Sequence, residues 1–133
     1  DTWDRVMHIN LRAPFLMTQA LLPLLKQSPD ASIVFTTSSV GRRARAFWGA
    51  YAISKHGIEG LSQMLADELM NTSNIRVNCI NPGATRTTMR AAAYPGEDPD
   101  TLKTPEDIMP LYLYLLGPDS RGTTGQSLDA QPR

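Results

Sequence analysis

A chain of 133 residues, 41% hydrophobic and 20% charged, has the make-up of an ordinary globular domain, whole or in part. Thirteen basic side chains balance thirteen acidic ones, so net charge draws the chain neither to nucleic acid nor to an anionic membrane. No uncharged apolar run reaches the about 18 residues of a membrane span, no leader-peptide pattern is visible, and the single Cys79 excludes an internal disulfide, which fits a cytoplasmic setting.

Residues 1–27 read as helix, with Val6, Ile9, Phe15, Leu16, Leu22 and Leu25 recurring at mixed three- and four-residue steps. Pro14 and Pro23 each remove a backbone donor, so a kinked helix or two abutting ones is expected. After the turn residues Ser28-Pro-Asp, residues 32–37 form a β-branched and aromatic run that reads as a buried strand. An arginine-rich loop follows, then a second helix over residues 50–71 with Ile58, Leu61, Leu65 and Leu69 as its apolar stripe. Residues 75–80 read as a second strand stopped by Asn81-Pro-Gly. Residues 84–104, with Pro95, Gly96 and Pro99, read as an irregular, mobile surface segment. Thr104-Pro-Glu-Asp is a helix start, and Leu111, Leu115 and Leu116 are expected to face a core before Gly117-Pro ends that helix. Residues 126–130 supply a short last strand. Alternating helices and strands predict right-handed crossovers and a parallel sheet covered on both faces, a partial doubly wound α/β fold of three strands.

Tyr51 and Lys55 stand four apart on the second helix, hence side by side on one face. A phenol is a poor proton donor and acceptor at neutral pH, and a neighbouring ammonium favours its phenolate. Such a tyrosine can serve as general acid or base. Ser38 ends the first strand, thirteen residues ahead of Tyr51, and strand carboxyl ends face the ligand crevice in parallel sheets. Its neighbour Ser39 reads as a turn hydroxyl, since adjacent strand residues face opposite sides. Arg42, Arg43 and Arg45 read as a solvated loop or a subunit contact in preference to a site for an anionic substrate or a cofactor phosphate, and Arg86 and Arg90 likewise. His8 and His56 lack partners at metal-ligand spacing, so no metal is expected. Cys79 reads as a small buried strand residue, and Met64, Met70, Met89 and Met109 as packing. Phe47 and Trp48 lie just ahead of Tyr51, where they would wall a substrate pocket or serve the fold alone.

The succession Ser-Ser-Val-Gly, Tyr-Ala-Ile-Ser-Lys-His-Gly and Arg-Val-Asn-Cys-Ile-Asn-Pro-Gly-Ala-Thr-Arg-Thr-Thr-Met resembles the short-chain dehydrogenase/reductase family in order and spacing, from Trp3 to Pro132. The runs Val40–Lys55 and Asp107–Gly117 resemble a bacterial branch of it. The resemblance implies a Rossmann-type sheet and a site of Asn10, Ser38, Tyr51 and Lys55, with the asparagine in a water-linked proton relay that ends at the lysine. It implies that Lys55 also holds the nicotinamide ribose and that Pro82, Gly83, Thr85 and Thr87 cup the nicotinamide of NADP or NAD, with Thr85 acting through its backbone and Thr87 through its hydroxyl. The implied substrate is a small carbonyl compound or alcohol, and the implied assembly a homodimer or homotetramer built on the two long helices. The family's glycine-rich pyrophosphate turn does not occur in these residues. Residues 1–133 are therefore expected to be a single partial domain, the catalytic second half with the cofactor-anchoring half absent. A non-catalytic binding or assembly module is the alternative. A sugar-nucleotide epimerase relative also fits Tyr-x-x-x-Lys, but the Asn-Pro-Gly segment and the short C-terminal part argue against it.

Overall fold

In the computed structural model, which describes residues 1–132, three parallel strands lie in the order β1 (Ser32–Thr36), β2 (Arg76–Asn81) and β3 (Ser127–Asp129). Ser32 stands opposite Arg76 and Thr36 opposite Ile80; Cys79 stands opposite Ser127 and Asn81 opposite Asp129. The carboxyl ends of all three strands thus come to one edge of the sheet. The partial α/β sheet expected from the sequence is present, with element ends displaced by a residue or so, as helix and strand ends commonly are.

Side chains alternate across a strand. On β2, Val77 and Cys79 join a core with Phe35, Ile58, Ala66 and Leu69, against which Leu11, Leu22 and Leu25 pack from the first helix. By the same alternation Asn78 and Ile80 point to the opposite face. All four are fully buried, so β2 is covered on both sides, as a strand of a doubly wound sheet should be. The first face carries α4 (Gly49–Met70) and the first helix, and the second carries α6 (Met109–Leu116). Ser32 Oγ donates to the Leu115 carbonyl at 2.6 Å, which ties β1 to α6. Buried Asn78 is satisfied at both ends: its Nδ2 donates to the Thr123 carbonyl at 2.9 Å and its Oδ1 accepts from the Gln126 N–H at 3.0 Å.

The first helix runs unbroken from α1 (Thr2–Met7) through a π-helical turn at His8–Arg12 into α2 (Ala13–Gln27). The irregularity expected at the prolines falls just before Pro14. That proline cannot donate to the Asn10 carbonyl, and the ladder widens instead, the Ala13 N–H reaching the His8 carbonyl five residues back. Val6, Leu22 and Leu25 are half-buried, but Ile9, Phe15 and Leu16 of the same apolar series are exposed.

Three further expectations need correction. Residues 84–104 are not irregular throughout: they contain α5 (Thr88–Ala93) and a 3₁₀ turn at Pro99–Thr101. Arg90 organises this stretch, pairing with both oxygens of Glu97 at 2.8 and 2.9 Å while its guanidinium lies 3.8 Å from the centre of the Tyr94 ring. The helix signal at Thr104 holds as a reciprocal cap. Thr104 Oγ1 accepts from the Asp107 N–H at 3.2 Å, and the Asp107 carboxylate accepts from the Thr104 N–H at 2.9 Å. The helix opens as a 3₁₀ turn at Glu106–Ile108 before α6. Leu115 is fully buried there and Leu111 half-buried, but Leu116 is 54% exposed and does not face the core. The methionines do not pack either: Met64, Met70, Met89 and Met109 are all exposed.

Candidate active site

Ser38 follows β1 and caps α3 (Ser39–Arg42), its Oγ accepting from the Val40 N–H at 3.4 Å. The hydroxyl proton is not used in that bond and remains available to an incoming oxygen. Ser38 is half-buried, whereas Ser39 is exposed at the start of α3. A close approach fixes α3 against α4. A Cβ on Gly41 would lie 2.9 Å from both Lys55 Cβ and the Lys55 carbonyl, so only glycine lets the two elements meet here. Sequence reasoning did not single out Gly41, although its place three residues after Ser38 is visible in the chain.

Tyr51 and Lys55 lie on the first turns of α4, with Lys55 Nζ 5.6 Å from the centre of the Tyr51 ring. Trp48 stacks obliquely on Tyr51 with ring centres 5.7 Å apart and so forms one wall beside it. Phe47 does not, since it is fully solvent-exposed and strained at φ 70°. Lys55 Nζ donates to the Thr36 carbonyl at 3.1 Å, which leaves two of its three N–H bonds for a ligand. Its partly buried position disfavours the charged form and holds the ammonium below the usual lysine range, with the nearby Cys79 opposing the shift.

Asn10 reaches the same helix but not Lys55 itself. Its Nδ2 donates to Ser54 Oγ at 3.2 Å, and Ser54 Oγ donates to the Tyr51 carbonyl at 2.7 Å. The π-helical turn carries Asn10, and such turns recur at functional positions. Gly57 admits the neighbouring Leu11, whose Cδ2 would lie 2.6 Å from a Cβ at that position. No sequence signal announced this notch.

The chain leaving β2 turns at Gly83, which stands at φ 77° and accepts a side chain poorly. Asn81 Oδ1 receives the Gly83 N–H at 3.1 Å, and Gln131 Nε2 donates to the Pro82 and Ala84 carbonyls at 3.0 and 2.8 Å. Thr85 Oγ1 is spent on the Gly83 carbonyl at 3.0 Å. Thr87 Oγ1 caps α5 by accepting from the Arg90 N–H at 3.1 Å and keeps its proton to donate. The donor set suits a nicotinamide riboside: two ammonium protons for ribose hydroxyls, one threonine hydroxyl for a carboxamide oxygen, and a glycine turn that lets a flat ring approach.

Arg42 is not a solvated loop cation. Its Nη1 donates to Asp129 Oδ1 at 2.6 Å and its Nε to Ser127 Oγ at 3.0 Å, with Glu59 Oε1 3.5 Å away. Arg43 and Arg45 are exposed. Arg86 donates to the Pro99 carbonyl at 2.8 Å. His56 Nδ1 lies 3.0 Å from the Ala52 carbonyl one turn back. Among the described residues, no three His, Cys, Asp or Glu side chains converge as a metal-holding group. No helix there is long and apolar enough to cross a membrane.

The short chain dehydrogenase family model matches residues 1–98. The oxidoreductase YciK of Escherichia coli is 62% identical over 132 residues, which are 99% of this chain and 52% of that protein. A short chain dehydrogenase from Shigella flexneri, solved in complex with NADP, superposes with a TM-score of 0.94 at 63% identity, covering 98% of this chain and 54% of that one. A second, from Escherichia coli and complexed with NADPH, gives 0.94 at 62% identity over 98% of this chain and 53% of that one. The chain spans about half the length of the relatives it matches.

Proposed function

Because the chain belongs to the short chain dehydrogenase family, we propose that it carries the catalytic apparatus of an NAD(P)-dependent oxidoreductase that interconverts a small carbonyl compound and its alcohol. The observation that carries this reading is the Tyr51–Lys55 pair on α4, with Lys55 Nζ 5.6 Å from the Tyr51 ring centre, and supporting it is the close approach at Gly41 that seats α3, which Ser38 caps, against Lys55. When bound, the nicotinamide supplies the hydride to the carbonyl carbon, or takes it up in the reverse direction.

In reduction, the Ser38 hydroxyl donates a hydrogen bond to the carbonyl oxygen and orients it. The Tyr51 hydroxyl passes its proton to that oxygen as the carbon becomes tetrahedral, so the alcohol leaves neutral. The positive charge of Lys55 favours the phenolate that remains, and its two free N–H bonds hold the ribose hydroxyls. Asn10, bonded to Ser54 one residue from Lys55, holds the start of α4 and the first helix together where a water-linked relay would leave the site. Pro82 and Gly83 would turn the chain toward the ring, and Thr85 through its backbone and Thr87 through its hydroxyl, whose proton the α5 cap leaves free, would hold its carboxamide. The two neighbours solved with NADP and NADPH favour the phosphorylated cofactor. The exposed Ile9, Phe15, Met17 and Leu24 of the first helix, with Ile53 and Met64 of α4, favour a homodimer or homotetramer that covers these two helices.

The test is Tyr51→Phe in the complete reading frame that contains these residues. General acid–base help is worth about 10²–10⁴-fold. NADPH-dependent reduction of a carbonyl panel should fall by that order while NADPH still binds. Undiminished turnover would refute the assignment.

A further inference from the structure

Arg42 stands between two carboxylates that belong to different parts of the fold. On one side its Nη1 meets Asp129 Oδ1 at the end of β3, 2.6 Å away. The same Asp129 oxygen accepts from Asn81 Nδ2 at 3.1 Å, and Asn81 Oδ1 in turn receives the Gly83 N–H at 3.1 Å. On the other side its Nε donates to Ser127 Oγ at 3.0 Å, and Ser127 donates to Glu59 Oε1 at 2.7 Å. Glu59 is buried on α4 one turn beyond Lys55. A carboxylate in that position needs both the hydroxyl and the nearby cation, because burying an unpaired charge is costly.

The arrangement joins the three elements that bear the candidate site. Arg42 closes α3, which Ser38 opens. Glu59 belongs to the helix of Tyr51 and Lys55. Asp129 and Asn81 hold the turn that leads to Thr85 and Thr87. Resting on the proposed function above, we infer that Arg42 and Asp129 form a positioning clamp that sets the nicotinamide-cupping turn against the Ser38, Tyr51 and Lys55 groups. Neither residue touches the reacting atoms. Their effect passes through Asn81 and the backbone at Gly83. A lysine cannot replace the arginine, because one ammonium on a flexible stem lacks the rigid fork that spans Ser127 and Asp129 together.

The clamp acts on the nicotinamide end of the cofactor alone, which separates it from a residue that merely stabilises the fold. The experiment compares NADPH with 2′-phospho-ADP-ribose, which has the same adenine end and no nicotinamide, as ligands of the complete protein. Arg42→Ala and Asp129→Asn should each weaken NADPH by about tenfold, the loss of one or two hydrogen bonds to the carboxamide, and 2′-phospho-ADP-ribose by less than about twofold. The rise in nicotinamide fluorescence on NADPH binding should fall in both variants. Arg42→Lys should resemble Arg42→Ala. Asp129→Asn keeps the shape of the side chain, so it decides the matter if Arg42→Ala does not fold. Equal weakening of both ligands, or no weakening, would overturn the clamp while leaving the dehydrogenase reading intact. A parent protein that binds 2′-phospho-ADP-ribose but gains no affinity from the nicotinamide would overturn both.

Discussion

Replacing Gly41 by alanine tests how tightly α3 must sit on α4. The new Cβ would lie 2.7 Å from Thr37 Oγ1 and 2.9 Å from both Lys55 Cβ and Lys55 O. Thr37 can rotate its hydroxyl, but the two Lys55 atoms are fixed to the backbone of α4. Restoring ordinary contact requires the helices to part by about half an ångström or more. Overpacking of this kind costs about 1–3 kcal/mol, from which alanine's better helix propensity returns up to about 1 kcal/mol. The expected net loss is about 0–3 kcal/mol. Gly60→Ala in the facing helix α4 is the control, because nothing lies within 4 Å of its Cβ. It should stabilise by about 0.5–1 kcal/mol. Urea unfolding of both variants of the complete protein, with unchanged m-values, measures the difference. Because Lys55 moves with the helix, turnover should drop as well, by up to about 10²-fold for a displacement near 1 Å. A Gly41→Ala protein as stable as Gly60→Ala would refute the packing argument.

Burial pushes the Cys79 thiol up to about 11, despite an opposing hydrogen bond with Ser62, so it should resist a disulfide reagent at pH 8 and react only at the rate of unfolding. A hydrogen bond from Arg76, helped by the charges of Arg76 and Arg121, holds the Asp30 carboxyl below its usual range. That contribution is complete above the ordinary carboxylate range near 4 and is lost as pH falls through the lower, folded value. Asp30→Asn should therefore destabilise the protein at pH 7, and the gap from the parent should close as the medium becomes more acid, as thermal melts across pH will record. Residues 1–133 expressed by themselves should show no saturable micromolar binding in an NADPH fluorescence titration. The contacts proposed for Lys55, Thr85 and Thr87 would have to offset about 4–15 kcal/mol of lost translational and rotational freedom. Saturable binding by a monodisperse sample would count against that prediction.

The candidate site's geometry was legible where it depends on local spacing. Tyr51 and Lys55 meet because a helix brings residues four apart together, and Ser38 lies at a strand end that turn residues mark. Where it depends on contacts between distant segments it was not. The Asn10–Ser54 bond joins residues 44 apart, and it needs a widened turn before Pro14 and a notch at Gly57 that no periodicity encodes. Arg42 meets Asp129 across 87 residues. Three arginines in a loop carry no mark of which one will find a carboxylate. Buried and exposed apolar residues of the first helix were mixed in one series because the π-helical turn breaks the period that reads them.

The π-helical turn at His8–Arg12 also sets the rotational phase of α1 relative to α2. The Ala13 to His8 bond absorbs one residue more than an α-helical turn holds, so removing one residue from it would return the ladder to ordinary α-helical bonding and leave residues 1–7 in nearly their present phase. Val6 and Met7, now half-buried, would keep their seat, as would Leu22 and Leu25 downstream. The same deletion in the regular part of α1 or α2 would instead turn the residues ahead of it by about 100° about the axis. Relatives that lack one residue at the turn should therefore present the same outer surface on α1 over an unchanged α2.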